Sequence, residues 1–288
     1  MRLIADSGST KTLWNLSSGA ETVKSFKTSG TNPFFQSPEN IEQTLQQEVV
    51  PNIKNNNIES CYFYGAGCAD DAINEKISAL LKKSFNCSKA TVSSDILGAA
   101  RALFHNKIGI ACILGTGSNC CYYDGREIVN SVYSGGFILG DEGSGGALGK
   151  RLIADFIKKQ MPTDLYNKLK EEYQLDYIYI VNRVYKEQFP NRFLASFSHF
   201  LSKNRDNNYV QELLNREFTL FFERNIMQFE NWQSQEIGFI GSVAHYFKNE
   251  IISVSKHYSI NIKSIIQNPI EALVKFHNNY ENSAEIIL

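Results

Sequence analysis

Apolar positions run from Leu3 to Ala5 and resume from Thr12 to Leu16. Between them lies a cluster of small and polar residues, Asp6-Ser7-Gly8-Ser9-Thr10. Two short extended runs around a Ser/Gly turn predict a β-hairpin, and residues 21–27 predict a third strand. Ile41, Leu45 and Val49 then recur at i, i+4 and i+8, the helical period, so residues 38–49 are predicted helical. Residues 60–64 predict a strand. Residues 72–85 predict a helix with Ile73, Ile77, Leu80 and Leu81 on one face. Residues 90–93 predict another strand, after which Asp95 opens a short helix over residues 96–104.

The pattern then starts again. An apolar strand over residues 108–114 enters Gly115-Thr116-Gly117-Ser118, a second turn of small residues, and strands are predicted over residues 119–123 and 128–133. Both halves therefore open with strand, small-residue turn, strand, turn, strand. The long spacing marks a duplicated supersecondary unit and not a solenoid repeat. Residues 143–229 read as mostly helical, with Phe218, Phe221, Phe222, Asn225 and Phe229 on one stripe that predicts a buried face. A strand over 237–240, a helix over 243–252, a strand over 260–266 and a helix over 270–278 follow, and a polar tail is predicted after that.

With 288 residues, 43 % hydrophobic and 20 % charged, the chain has the composition of a globular protein of about two domains. Twenty-nine basic against thirty acidic side chains leave no basic excess, which argues against a nucleic-acid partner. No apolar stretch is long enough to span a bilayer, and Asp6 interrupts the first apolar run too early for a signal peptide. No membrane partner and a cytoplasmic location are therefore expected. All six Cys lie between Cys61 and Cys121, which favours reduced thiols over a disulfide framework.

Five segments can carry chemistry. The turn after Asp6 presents Gly8, Ser9, Thr10 and Lys11. Small residues there leave backbone N–H groups accessible to a polyphosphate, Lys11 adds a cation, and Asp6 can hold Mg²⁺ through water. Gly115, Thr116, Gly117 and Ser118 repeat this logic in the second half. The glycine-dense segment 135–146 precedes a helix, so residues 143–145 are expected to offer free N–H groups at its start, with Asp141 and Glu142 as hydroxyl or metal ligands. Asp95, at a strand-to-helix junction, reads by itself as an N-cap. Glycines at the end of the strand over 237–240 let a flat ring approach the backbone near Gly241 and Ser242. No Walker A motif, no strand-linked GxGxxG and no zinc-spaced Cys/His cluster is present.

Taken together, Asp6-Ser-Gly-Ser-Thr-Lys-Thr, Gly115-Thr-Gly-Ser-Asn-Cys, Gly140-Asp-Glu-Gly-Ser and Gly238-Phe-Ile-Gly-Ser-Val resemble the N-acetylglucosamine kinase branch of the BadF/BadG/BcrA/BcrD ATPase family, within the sugar kinase, Hsp70 and actin superfamily. The resemblance implies two ribonuclease-H-like α/β domains of the actin-like ATPase fold with ATP in an interdomain cleft. The first domain would comprise residues 1–105 and about 268–288, and the second residues 106–267. It also implies ATP and Mg²⁺ as cofactors, phosphate contacts from both turns and an adenosine contact at Gly241 and Ser242. Asp95 would be the base on a sugar 6-hydroxyl, with Asn32, Gly136 and Asp141 as sugar contacts. Ser7 departs from the family, where many members have Gly.

The expected activity is ATP-dependent phosphorylation of an amino sugar, N-acetylglucosamine first. The alternatives are an ATPase that activates a dehydratase or reductase, and a non-catalytic sugar sensor. The residues 30–34 and 135–140 contain no Lys or Arg, which predicts a neutral acceptor. The assembly, a homodimer among the options, is left open by the residues.

Overall fold

The computed structural model describes residues 1–285, with side chains through residue 279. The final three residues of the expected 268–288 segment lie outside the described residues. The chain forms two compact units: residues 1–107, 123–128 and Asn268 onward, and residues 108–122 and 129–267.

The first unit is built on β1 (Arg2–Ser7), β2 (Lys11–Ser18), β3 (Glu21–Ser29), β4 (Ser60–Gly65) and β5 (Lys89–Ser94), in the order β3-β2-β1-β4-β5. Tight turns make β1, β2 and β3 antiparallel neighbours. Helical crossovers make β1, β4 and β5 parallel, because a parallel step cannot be made by a short turn. Alternation along β4 serves both faces. Cys61 and Phe63 pack with Leu3, Ala5, Trp14, Ile77 and Leu81. Tyr62 and Tyr64 face the other way, where His277 of the closing helix stacks on Tyr62 at 3.8 Å between ring centroids.

The second unit carries β6 (Gly109–Leu114), β7 (Ser118–Tyr123), β8 (Ile128–Val132), β9 (Ile237–Ile240) and β10 (Ile262–Ile266), in the order β10-β9-β6-β7-β8. Read from the other edge, this is the order of the first sheet, so the duplicated opening corresponds to a duplicated sheet. Its core includes Phe218, Phe221, Phe222 and Phe229, the aromatic stripe, with Phe197, Phe200 and Phe239.

Several elements differ from expectation. The helix over 38–49 continues to Ile53 and contains a wide turn at Leu45–Val49, where the N–H of Val50 bonds to the carbonyl of Leu45. Glu48 in that turn accepts from the backbone N–H and the hydroxyl of Ser29 at 2.7 and 2.8 Å. The helix expected over 243–252 is two helices, Ser242–Tyr246 and Lys248–His257. The closing helix spans Ile270–Glu285 where a polar tail was expected, because polar residues without Gly or Pro do not stop a helix. Gly136–Leu139 forms an additional helical turn inside the glycine-dense segment. All six cysteines are buried thiols outside any disulfide. Among the described residues no helix is long and apolar enough to cross a membrane.

Candidate active site

The register of the first sheet aligns its chemistry. Ser7 of β1 pairs with Gly65 of β4, and Gly65 pairs with Ser94 of β5, so three parallel strands end in one row. Ligands of open α/β sheets bind at the carboxyl ends of the strands. Asp6 stands at the end of β1, Asp95 follows β5, and the turn 65–68 follows β4. The turn after β1 is closed by a bond from the N–H of Gly8 to the carbonyl of Lys11 at 3.0 Å. Gly30 docks against it through a bond to the carbonyl of Thr10 at 3.1 Å. A Cβ at Gly30 would lie 2.5 Å from the carbonyl oxygen of Gly8, so only glycine permits this approach.

Ser7 occupies a fully buried position and ties this turn to the next loop. Its Oγ lies 2.7 Å from the Thr12 hydroxyl, donates to the carbonyl of Thr31 at 2.8 Å and accepts from the N–H of Thr31 at 3.1 Å. Ser7 thus fills its space and is satisfied in its bonds. Asn32 is brought to the same turn, its Nδ2 donating to Ser9 Oγ at 3.0 Å.

Two carboxylates of the first unit are held well above the ordinary range. Burial first, and then the nearby charge of Asp95, raise Asp6 to about 7 against the opposing charge of Lys11. Burial also raises Asp95 to about 6, against the stabilising bond from the N–H of Ile96 at 2.8 Å. Cys68, buried beside Asp95, is pushed up to about 12 by its burial and then by that carboxylate. The capping expectation for Asp95 is corrected here. Ser94 is the N-cap, its Oγ accepting from Leu97 N–H, and Asp95 is the first residue of helix Asp95–Phe104. Its second carboxylate oxygen is therefore not required for capping.

In the second unit the turn 115–118 is gripped from below. The Gly115 N–H bonds to the carbonyl of Gly117 at 2.9 Å, and Asp141 Oδ1 accepts from the N–H of Ser118 at 3.2 Å. Asp141 is buried, with φ of +60°, a left-handed conformation that Asp tolerates better than most residues. Burial raises it to about 6, opposed chiefly by the Ser118 amide, with Glu142 raising and Lys150 lowering it. Glu142 is paired with Arg224 at 2.5 Å.

The expected free N–H groups at the start of helix Gly145–Ile157 are not free. Ser144 N–H bonds to the carbonyl of Asp141, Gly145 N–H to that of Gly115, and Gly146 N–H to that of Thr116, at 3.0, 2.8 and 3.0 Å. Ser144 Oγ caps Ala147 at 3.1 Å. The helix start thus supports the turn instead of facing a ligand. Gly241 has φ of +126°, and a Cβ there would lie 2.1 Å from the carbonyl of Leu114, so β9 leads into Ser242 directly beside β6. Gly136 has φ of +67° with open space where a Cβ would stand. Lys150 donates to the carbonyl of Phe137 at 2.9 Å. A cation therefore reaches the segment 135–140, which the local sequence alone showed as uncharged.

The structure thus assembles Asp6, Gly8, Ser9, Thr10, Lys11, Asn32 and Asp95 in the first unit. Gly115, Thr116, Gly117, Ser118, Gly136, Asp141, Gly241 and Ser242 belong to the second unit. Sequence reasoning missed Gln36 and Gly67, and gave no role to Thr31 and Ser144. Gly67, in Gly65-Ala66-Gly67 directly after a predicted strand, is the one that carried a readable signal.

No protein-family model and no curated protein matches the chain. Solved structures do. A Porphyromonas gingivalis protein named "Putative N-acetylglucosamine Kinase" is 42 % identical, covers 97 % of this chain and 99 % of its own, and superposes with a TM-score of 0.94. A Chromobacterium violaceum protein of the same name is 14 % identical, with 96 % and 98 % covered and a TM-score of 0.73. A ROK family glucokinase from Streptomyces griseus, solved with glucose and AMPPNP, is 14 % identical, with 95 % and 97 % covered and a TM-score of 0.56. The two latter likenesses establish the two-domain actin-like fold of sugar kinases. At 42 % identity over nearly the whole of both chains, this chain belongs to the family of the P. gingivalis N-acetylglucosamine kinase-like protein.

Proposed function

We propose that the protein is an ATP-dependent amino-sugar kinase that phosphorylates N-acetylglucosamine on its 6-hydroxyl, in the N-acetylglucosamine kinase branch of the BadF/BadG/BcrA/BcrD ATPases. The observation that carries this reading is the pair of desolvated carboxylates, Asp6 and Asp95, beside the turn 8–11 at the ends of parallel strands. The names of the relatives support it, and the AMPPNP in the S. griseus glucokinase supports ATP as the donor.

In this reading the sugar 6-oxygen attacks the γ-phosphorus, the bond from that phosphorus to the bridging oxygen breaks, and ADP leaves. Asp95, held near 6, is mostly ionised at neutral pH and accepts the hydroxyl proton. The remaining work is positioning and charge stabilisation. In the first unit Gly8, Ser9, Thr10 and Lys11 are the proposed phosphate ligands; in the second unit the turn of Gly115, Thr116, Gly117 and Ser118 is read by itself as a phosphate-binding turn. Gly241 and Ser242 receive the adenosine. Asn32, Gly136 and Asp141 hold sugar hydroxyls.

The donor set fits Mg²⁺. Two desolvated carboxylates that repel one another gain from a divalent cation, and Mg²⁺ needs only one or two protein carboxylates beside phosphates and water. Asp6 would hold it, and when bound it neutralises phosphate charge. A coupled ADP-release assay over N-acetylglucosamine, glucosamine, N-acetylmannosamine and N-acetylmuramic acid tests the proposal. The highest kcat/KM is expected for N-acetylglucosamine. ADP release that no sugar stimulates would overturn it.

A further inference from the structure

Asn32 is 5 % exposed, and its carboxamide is bonded at both ends. Nδ2 donates to Ser9 Oγ at 3.0 Å, and Oδ1 accepts from the N–H of Phe34 at 3.0 Å. Its backbone N–H donates to Gln36 Oε1 at 2.8 Å, and its carbonyl accepts from the N–H groups of Phe35 and Gln36, both at 3.1 Å. One residue therefore fastens the loop 32–36 to the turn proposed to hold phosphate.

Gly67 completes the fastening. It has φ of +81°, and a Cβ there would lie 2.3 Å from Asn32 Oδ1 and 3.3 Å from Phe34 Cβ. Any side chain at 67 would displace the carboxamide. The bend after β4 thus fixes the loop that follows β3.

On this fixed loop stand Phe34 and Phe35, 73 % and 58 % exposed, packed edge to face with ring centroids 5.0 Å apart. Paired aromatic rings normally bury their area in the core, where it stabilises the fold. Here they stay in solvent on a loop whose backbone is tied down at Asn32. A pair of rings on a loop bonded through Asn32 to the turn 8–11 offers apolar area at little ordering cost.

We propose that Phe34 and Phe35 form an apolar platform that takes the N-acetyl methyl group and the C–H face of the acceptor sugar. Gly67 is the positioning residue that keeps this platform in register with the phosphate turn, and Asn32 ties the two together beside its proposed sugar contact. The inference rests on the sugar-kinase reading and deepens it, because it makes the acetyl group a selected feature. An unacetylated amine gains nothing from the rings.

The test uses the purified full-length chain with Mg·ATP and measures KM for N-acetylglucosamine, glucosamine and ATP separately. Phe34→Ala and Phe35→Ala are each expected to raise KM for N-acetylglucosamine about tenfold and to lower the kcat/KM preference over glucosamine by about the same factor. KM for ATP is expected to stay within about twofold, and Leu at either position to restore part of the preference. Gly67→Ala is expected to raise both KM values, since Asn32 also holds Ser9. If Gly67→Ala does not fold, Ser9→Ala reads the same coupling more weakly. Phe variants with unchanged acetyl preference, or with KM for ATP raised as much as KM for sugar, would overturn the platform. A wild-type protein that phosphorylates no amino sugar would instead overturn the sugar-kinase reading, before any variant is compared.

Discussion

His277 should make this protein acid-sensitive over a defined pH window. The ring is 4 % exposed, stacked on Tyr62, with Nε2 2.9 Å from the Tyr64 hydroxyl. Burial first, and then the charges of Arg101, Arg2 and Lys89, lower it together from 6.5 to about 3. The folded state therefore resists a proton that the unfolded chain takes up readily. Above pH 6.5 both states are neutral and there is no penalty. As pH falls below 6.5, stability falls by about 1.4 kcal/mol per pH unit and levels off only near pH 3. At pH 5 the loss is about 2 kcal/mol, and the full effect is about 5 kcal/mol, both to order of magnitude. Two measurements check this. The imidazole NMR resonances of His277 should not titrate between pH 8 and about 4. Thermal unfolding at pH 7.5 and 5.0 should show a smaller acid shift in His277→Gln than in wild type, by roughly 4–8 °C if the first unit melts as a unit. A His277 resonance that titrates near its ordinary value, or identical acid shifts in the two proteins, would refute the reasoning.

Asp95→Asn should lower kcat by about 10²–10⁴-fold while sugar affinity stays within roughly tenfold, and near wild-type turnover in a folded variant would remove the base assignment. Asp141→Ala takes the acceptor from the Ser118 N–H and should raise KM for ATP about tenfold, read from initial rates at saturating sugar. Gly241→Ala drives a Cβ into the carbonyl of Leu114 and imposes a left-handed φ on Ala, so its melting temperature should drop by several degrees, at a cost of more than about 1 kcal/mol. Competition by N-acetylmuramic acid tests acceptor charge. A kcat/KM well above that of N-acetylglucosamine would show that Lys150, on the carbonyl of Phe137, serves an acidic group.

The strands and the duplicated opening were legible because alternation and small-residue turns are local signals. β1 through β9 lie where the pattern places them to within a few residues. What the sequence did not show depends on contacts between distant segments. Ser94 and Asp95 are adjacent, and only the backbone geometry shows which of them caps the helix. The glycine-dense segment was read as an open helix start, yet its N–H groups are used by carbonyls about thirty residues earlier in the chain. Lys150 lies 13 residues beyond Phe137, the residue its ammonium reaches. Gly67 directly follows a predicted strand, yet what it does appears only when Asn32 is seen to fill the space a side chain there would need.

The central claim is transfer of a γ-phosphoryl group to a sugar hydroxyl. Phosphorus NMR of a reaction containing this protein, Mg·ATP and N-acetylglucosamine tests it directly, because coupling to the sugar protons identifies the esterified carbon. The account predicts a phosphomonoester on the 6-carbon, formed in step with ADP and lost in Asp95→Asn. ADP accompanied only by inorganic phosphate, or a phosphate on another carbon, would contradict it.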